Sequence, residues 1–200
     1  MLNKLVIATA NKHKLKEIES IFKGSAIKEI LPMPSDIGEI IEDGNTFIEN
    51  SIIKAKAVYN FTKLPSLADD SGLCVNALEG RPGIFSARYG GENLGYKEKM
   101  QMLLDELKDK DDRSAYFITS AVCVLDDNYY IAVEGRVNGK IIENKRGFDG
   151  FGYDPIFQPD GYNVTYAEMS LEEKNSMSHR SIAINKMKNI LLSIYNIKMS

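Results

Sequence analysis

Apolar residues come in two rhythms along this chain, short continuous runs and helical spacing. Leu5–Ile7 with Ala8 is a short run that predicts a buried strand. From Lys12 the apolar positions Leu15, Ile18, Ile21 and Phe22 recur at helical spacing, which predicts a helix over 12–22 stopped by Gly24. A second strand is expected near 27–31, ended by Pro32 and Pro34. An acid-rich loop over 35–45 leads to Thr46, which forms a capping box with Glu49. Phe47, Ile48, Ile52, Ala55 and Tyr59 then continue a helix.

Leu67–Ala68 and Leu73–Val75 read as strand pieces around Asp69-Asp70-Ser71-Gly72. Gly80, Pro82 and Gly83 break the chain into a shaped loop over 81–91. An amphipathic helix is expected over 96–107. Strands over 115–125 and 129–137 follow, joined as an antiparallel hairpin by Asp126-Asp127-Asn128. Asn138-Gly139 is a second turn signal, and a glycine-rich loop runs from Gly147 to Pro155. Residues 171–195 are helical, with Ser170 and Glu173 as another capping box. The alternation of strand and helix predicts an α/β fold, and the long middle strands make part of the sheet antiparallel.

Composition narrows the chemistry. A chain of 200 residues with 44% apolar content supports one sizeable core or two small lobes around a cleft. The formal net charge of −3 gives no broad attraction to a nucleic acid backbone, so any phosphate must meet a local pocket of Lys and Arg. Cys74 and Cys123 lack metal-like or redox-like spacing and read as buried free thiols. His13 and His179 have no cysteine near them in sequence, which opposes a zinc site. No apolar run approaches a membrane span, and the expectation is a soluble, cytoplasmic protein.

Four segments carry candidate chemistry. Thr9-Ala10-Asn11-Lys12-His13-Lys14 joins a strand to a helix start, where backbone N–H groups and a lysine suit an anion. A plain turn with solvated lysines fits the same letters. Asp69 and Asp70 lie between apolar flanks, and a carboxylate placed there needs a partner or a cation. Asp-Asp-Ser-Gly is also good turn chemistry. In a strand the two acids point to opposite faces, so one can anchor the structure while the other holds magnesium. Glu39, Glu42 and Asp43 offer a second acid source, one of which could complete a site with Asp70.

The third segment, residues 147–155, lets the backbone approach a ligand, and Phe151 and Tyr153 offer faces for a base. Packing of those rings on the protein itself is the plainer reading. The fourth holds Lys174, His179 and Arg180. On one unbroken helix Lys174 and Arg180 face opposite ways, so a break is predicted near 175–178, with Ser178 starting a new helix.

Together these segments resemble the inosine triphosphate pyrophosphatase family, the house-cleaning non-standard purine NTP pyrophosphatases. The matching blocks are Val6-Ile7-Ala8-Thr9, Asp43 to Ser51 with Lys54-Ala55, Leu67 to Leu73, Gly80 to Tyr89, Phe151 to Phe157 and Ser178-His179-Arg180. The resemblance implies an elongated, mixed, twisted sheet flanked by helices in two lobes of a single pyrophosphatase domain. A central nucleotide cleft and a homodimer are implied with it. It implies that Thr9, Ala10, Asn11, Lys12, His13, Lys14, Lys54 and Lys174 hold the triphosphate, and that Glu42 and Asp70 bind Mg2+. Asp70 would also act on the attacking water, with Ser71 beside it. Phe151, Gly152, Tyr153, Asp154, His179 and Arg180 would form the base pocket. The donor-only Arg180 would accept a 6-oxo purine and disfavour adenine. The implied substrates are ITP, dITP and XTP, and no nucleic acid or membrane partner is implied. His13 stands where relatives often carry a smaller residue.

Overall fold

The computed structural model describes residues 2–91 and 93–197, with side chains as far as residue 194. In chain order the regular elements are β1 (Lys4–Ile7), α1 (Lys12–Phe22), β2 (Glu29–Pro32), α2 (Phe47–Thr62), β3 (Ser66–Val75), α3 (Tyr96–Glu106), β4 (Ser114–Val124), β5 (Tyr130–Ile141), β6 (Phe157–Pro159), α4 (Leu171–Met177) and α5 (His179–Ile197). The strands form one sheet in the order β2-β1-β3-β4-β5-β6. β1 pairs in parallel with β2 and β3, whereas β5 and β6 are antiparallel, so the sheet is mixed as expected. β4 and β5 are sheet neighbours joined only by the link 125–129, a connection too short for parallel strands. Pro32 closes β2 at the sheet edge, where a missing N–H removes no ladder bond.

The chain divides into two compact units. The first comprises Met1–Asp70, Thr119–Gly135 and Arg180–Ser200. Its core follows from strand alternation. Leu5 and Ile7 of β1 pack with Ile18, Ile21 and Phe22 of α1 and with Ala183, Ile184, Met187 and Leu191 of α5. Val6 and Ala8, pointing the other way, join Ala55 and Val58 of α2. Helices thus cover both faces of this part of the sheet. Leu67 and Ala68 of β3 divide between the same two clusters, as do Cys123 and Val122 of β4. Each fully buried aliphatic residue contributes about 1.5–3 kcal/mol.

The second unit comprises Ser71–Ile118 and Arg136–His179. Leu73 and Val75 of β3 pack with Ala115 and Phe117 of β4, Ile141 of β5, Phe157 of β6, and Met100 and Leu103 of α3. A 3-10 turn over Gly83–Arg88 is tied to this core through Ser86. The Ser86 hydroxyl accepts the Leu73 N–H at 3.0 Å and donates to the Gly83 carbonyl at 2.6 Å. The buried Tyr153 hydroxyl donates to the Ser86 carbonyl at 3.0 Å.

One open choice between strand and turn is decided, and one turn reading is corrected. Asp69-Asp70-Ser71-Gly72 is not a turn: β3 runs unbroken through it from Ser66 to Val75. The ion pairs described below supply what those acids need inside a strand. Asn138-Gly139 is not a turn either, since β5 continues to Ile141 and neither residue has a positive φ. Gly139 lies opposite Pro159, and a Cβ placed there would strike the Gln158 carbonyl and lie 2.8 Å from the Phe157 ring. Its glycine serves close strand approach instead of reversal. The break between α4 and α5 is present as expected, with Ser178 extended at φ −69 and ψ 156.

Candidate functional site

The first unit carries a ring of charge around the end of β1 and the middle of β3. Asn11 caps α1: its side-chain oxygen accepts the N–H groups of His13 at 2.9 Å and Lys14 at 3.3 Å. The Asn11 N–H in turn donates to the Thr9 hydroxyl at 3.2 Å. The helix-start amides of residues 13 and 14 are therefore engaged by the cap. Ala10, Lys12 and His13 are exposed, while Lys14 folds inward.

The Lys14 ammonium lies 3.0 Å from Asp69 Oδ2 and donates to the Asp69 carbonyl at 3.3 Å. Arg180 Nε donates to the same Oδ2 at 3.1 Å, and Arg180 Nη1 donates to Glu17 Oε2. Arg180 is only 1% exposed, the largest of the fully buried side chains. Burial lowers the Lys14 pKa, and the Asp69 carboxylate opposes that shift. For Arg180 burial also disfavours the charge, but Asp69 and Glu17 together hold it firmly protonated.

Asp70 belongs to a different group. Its Oδ2 accepts the Asn50 amide at 3.2 Å, and its Oδ1 lies 3.6 Å from the Lys54 ammonium. Lys54 donates to Glu42 Oε2 at 2.6 Å, so one ammonium joins the two acids. Burial raises the Asp70 pKa, partly offset by Lys54 and Lys14. The loop that carries Glu42 is seated by Gly44, whose N–H donates to Asn50 Oδ1 at 2.9 Å. A Cβ at Gly44 would lie 2.7 Å from that oxygen and from the Glu49 Cβ, so a side chain would displace the loop. Thr46 caps α2 through the Glu49 N–H at 3.2 Å, while the Glu49 carboxylate reaches Asn45 instead of closing the expected box on Thr46. Glu39 is exposed.

Among the described residues no cluster of three or more His, Cys, Asp or Glu is arranged to hold a metal. A cation at Glu42 and Asp70 would rest on those two carboxylates, with phosphate and water completing its shell, as suits magnesium.

The second unit holds the aromatic group. Asp154 Oδ2 accepts the Lys174 ammonium at 2.7 Å and the Phe151 N–H at 2.8 Å. Lys174 and Asp154 are both about fully buried, with side-chain exposure of 4% each. The ammonium stands 4.9 Å from the Phe151 ring centroid and 5.5 Å from that of Tyr166. His179 stacks on Phe117 with centroids 4.6 Å apart and planes 9° from parallel. Gly150 has a φ of +77, and a Cβ there would collide with Asp154 Oδ2. Tyr153 is buried against Tyr96, edge to face at 5.6 Å, so its ring serves packing. Ser71 is half-buried in β3 and Gly152 half-buried in the loop.

The profile of the Ham1 family matches residues 5–190. The chain belongs to the Ham1 family. A dITP/XTP pyrophosphatase of Treponema denticola is 44% identical over 185 residues, covering 90% of this chain and 94% of the relative. One of Desulfotalea psychrophila is 44% identical over 193 residues, covering 94% and 85%. Among solved structures, the Ham1 protein of Coxiella burnetii superimposes with a TM-score of 0.89 at 39% identity, covering 96% of this chain and all of that one. The Staphylococcus aureus Ham1 protein gives 0.85 at 37% identity, covering 95% and 98%. Family membership and fold bear out the resemblance read from the sequence.

Glu17 and Asn50 of this Ham1 chain escaped the sequence reading. Both are polar residues on helix faces that pack inward, and both are almost fully buried. Tyr166 and Phe117, which flank Lys174 and His179, escaped it as well. Among the described residues no helix is long and apolar enough to cross a membrane.

Proposed function

We propose that this Ham1-family protein hydrolyses non-standard purine nucleoside triphosphates such as ITP, dITP and XTP to the monophosphate and pyrophosphate. Relatives called dITP/XTP pyrophosphatases, at 44% identity over most of the chain, support the substrate class. The observation that carries the chemistry is the Lys54 ammonium shared by Glu42 and Asp70, with Lys14 held on the neighbouring Asp69. Two carboxylates and two lysines together suit a polyphosphate with its counter-cation.

In this reading Lys14 and Lys54, with the turn Thr9–Lys14, offset the charge of the triphosphate. Glu42 and Asp70 hold magnesium, and Asn50 orients Asp70. Bound there, the ion supplies positive charge against the phosphates. Asp70 takes the proton of the water that attacks the α-phosphorus, and the bond to the bridging oxygen breaks as pyrophosphate leaves. Burial raises the Asp70 pKa in the metal-free protein. Ser71 adjoins it in β3. Positioning and charge do most of the work in such transfers.

Lys174 stands among the aromatic rings of the second unit and serves the base in this reading. Asp154 fixes it beside the Phe151 ring and the loop at Gly152 and Tyr153, with His179 on the adjacent stack. A donor-only ammonium favours a 6-oxo acceptor, whereas the adenine amino group would set donor against donor. Arg180 is a buried counter-ion here, with Nε and Nη1 on carboxylates. A single catalytic domain, a cytoplasmic site of action and a homodimeric state complete the proposal.

The test is release of pyrophosphate and monophosphate from ITP, XTP, GTP, ATP and dTTP, with magnesium and with EDTA. Strong release from ITP and XTP that EDTA abolishes is expected. Equal rates on all five, or none on any, would overturn the proposal.

A further inference from the structure

Glu17 is an acid inside an apolar helix face. It sits between Leu15 and Ile18 on α1, only 4% exposed, where packing alone would favour an aliphatic residue. It lies one turn after Lys14 on the same helix face. Glu17, Arg180, Asp69 and Lys14 form a buried chain of alternating charge from Glu17 Oε2 to the Lys14 ammonium. The chain is graded in exposure. Side chains of Glu17, Arg180 and Asp69 retain 5%, 2% and 0%, while Lys14 retains 14%. Only its last cation reaches toward solvent.

A lysine side chain has many rotamers, and a free one loses that freedom on binding an anion. Here two bonds to Asp69 hold the ammonium beforehand, one to the carboxylate and one to the carbonyl. Asp69 Oδ2 is shared between Lys14 and Arg180, so its availability to Lys14 depends on how well Arg180 is otherwise satisfied. Glu17 provides that second counter-charge. Without it, Arg180 would draw Asp69 toward itself and loosen Lys14.

We propose that Glu17, Arg180 and Asp69 are positioning residues that preorganise the Lys14 ammonium for the phosphate chain. The proposal rests on the reading of Lys14 as a phosphate ligand. The substitution Glu17→Gln keeps shape and removes the charge at the far end of the relay. Preorganisation of this kind appears in affinity, since the ordering of Lys14 precedes binding.

A double-mutant cycle on the full chain tests it, read by calorimetric binding of inorganic tripolyphosphate in magnesium buffer. Glu17→Gln is expected to weaken binding about tenfold in the wild-type background, within the coupling typical of one ion-pair network. In a Lys14→Met background the same change should alter binding less than about twofold, because the residue it positions is gone. Equal losses in both backgrounds would overturn the relay. Arg180→Lys gives a second arm should Glu17→Gln not fold. It retains the charge but cannot bridge two carboxylates as a guanidinium does, and it should show the same dependence on Lys14. ITP hydrolysis is measured on the same wild-type protein. Coupling without hydrolysis would overturn the proposed function and leave the relay standing. Hydrolysis with additive losses would do the reverse.

Discussion

Asp69 and Asp70 are consecutive in β3 yet take different side-chain partners. Asp69 receives Lys14 and Arg180, whereas Asp70 receives Asn50 and faces Lys54. The pleat of a strand sends successive side chains to opposite faces, and that sets each acid against its own partners.

Substitution Asp70→Asn should abolish most turnover while stabilising the fold. Loss of a general base typically costs about 10²–10⁴ in rate. Burial raises the Asp70 pKa, so the folded state holds this proton more tightly than the unfolded chain does. The ionised form therefore works against folding above the folded pKa, and neutral Asn removes that cost. Thermal melts in EDTA should show a higher Tm for the variant at pH 7 to 8, a gain that vanishes as pH falls below the ordinary aspartate value. A lower Tm at neutral pH would refute the argument.

Lys54 shares its two acids with any metal that binds there. Replacing it by Met removes a competing positive charge, so magnesium affinity of the nucleotide-free protein should rise, by roughly fivefold or more for a charge at this distance. Tripolyphosphate should meanwhile bind more weakly. Calorimetric titration of each ligand separates the effects, and weaker magnesium binding would show that Lys54 organises the acids more than it opposes the metal.

Lys174→Met should destabilise the protein by about 3–5 kcal/mol, because it leaves the Asp154 carboxylate buried without its counter-ion. The double variant Lys174→Met with Asp154→Asn should recover most of that loss, since Asn keeps an acceptor for the Phe151 N–H. Urea unfolding of the three variants gives the comparison. Failure of the double variant to recover would mean that the charge itself organises the loop over 147–155.

Both cysteines should resist thiol reagents until the protein unfolds. Burial pushes the Cys123 thiol up to about 12 and raises Cys74 as well. The reactive thiolate is therefore scarce near pH 8, and neither sulfur is solvent-exposed. Reaction with a disulfide reagent in buffer and in guanidinium should show no fast phase in the first and a full one in the second.

Much of this was legible in the letters. Helix α1, the Thr46 cap and the break at Ser178 followed from local rules, because each concerns residues within one or two turns of each other. The failures concern partners far apart in sequence. Asp-Asp-Ser-Gly reads as strand or turn alike until Lys14, Asn50, Lys54 and Arg180 are brought to it. Glu17 is unremarked until Arg180, far along the chain, meets it. The Asn50 amide gives no sign that it ties the Gly44 loop to Asp70.

Gly139 adds a consequence for how the chain finds its fold. Asn138-Gly139 has a strong intrinsic tendency to reverse direction, yet in the native sheet it runs straight beside β6. The local preference and the final arrangement disagree, a small frustration that pairing with β4 on one side and β6 on the other resolves. The distal half of β5 should thus be among the later segments to set, with a transient reversal at 138–139 competing against it. Synthesis order bears on this too, since the ribosome releases β4 before the Asn-Gly pair and β6 after it.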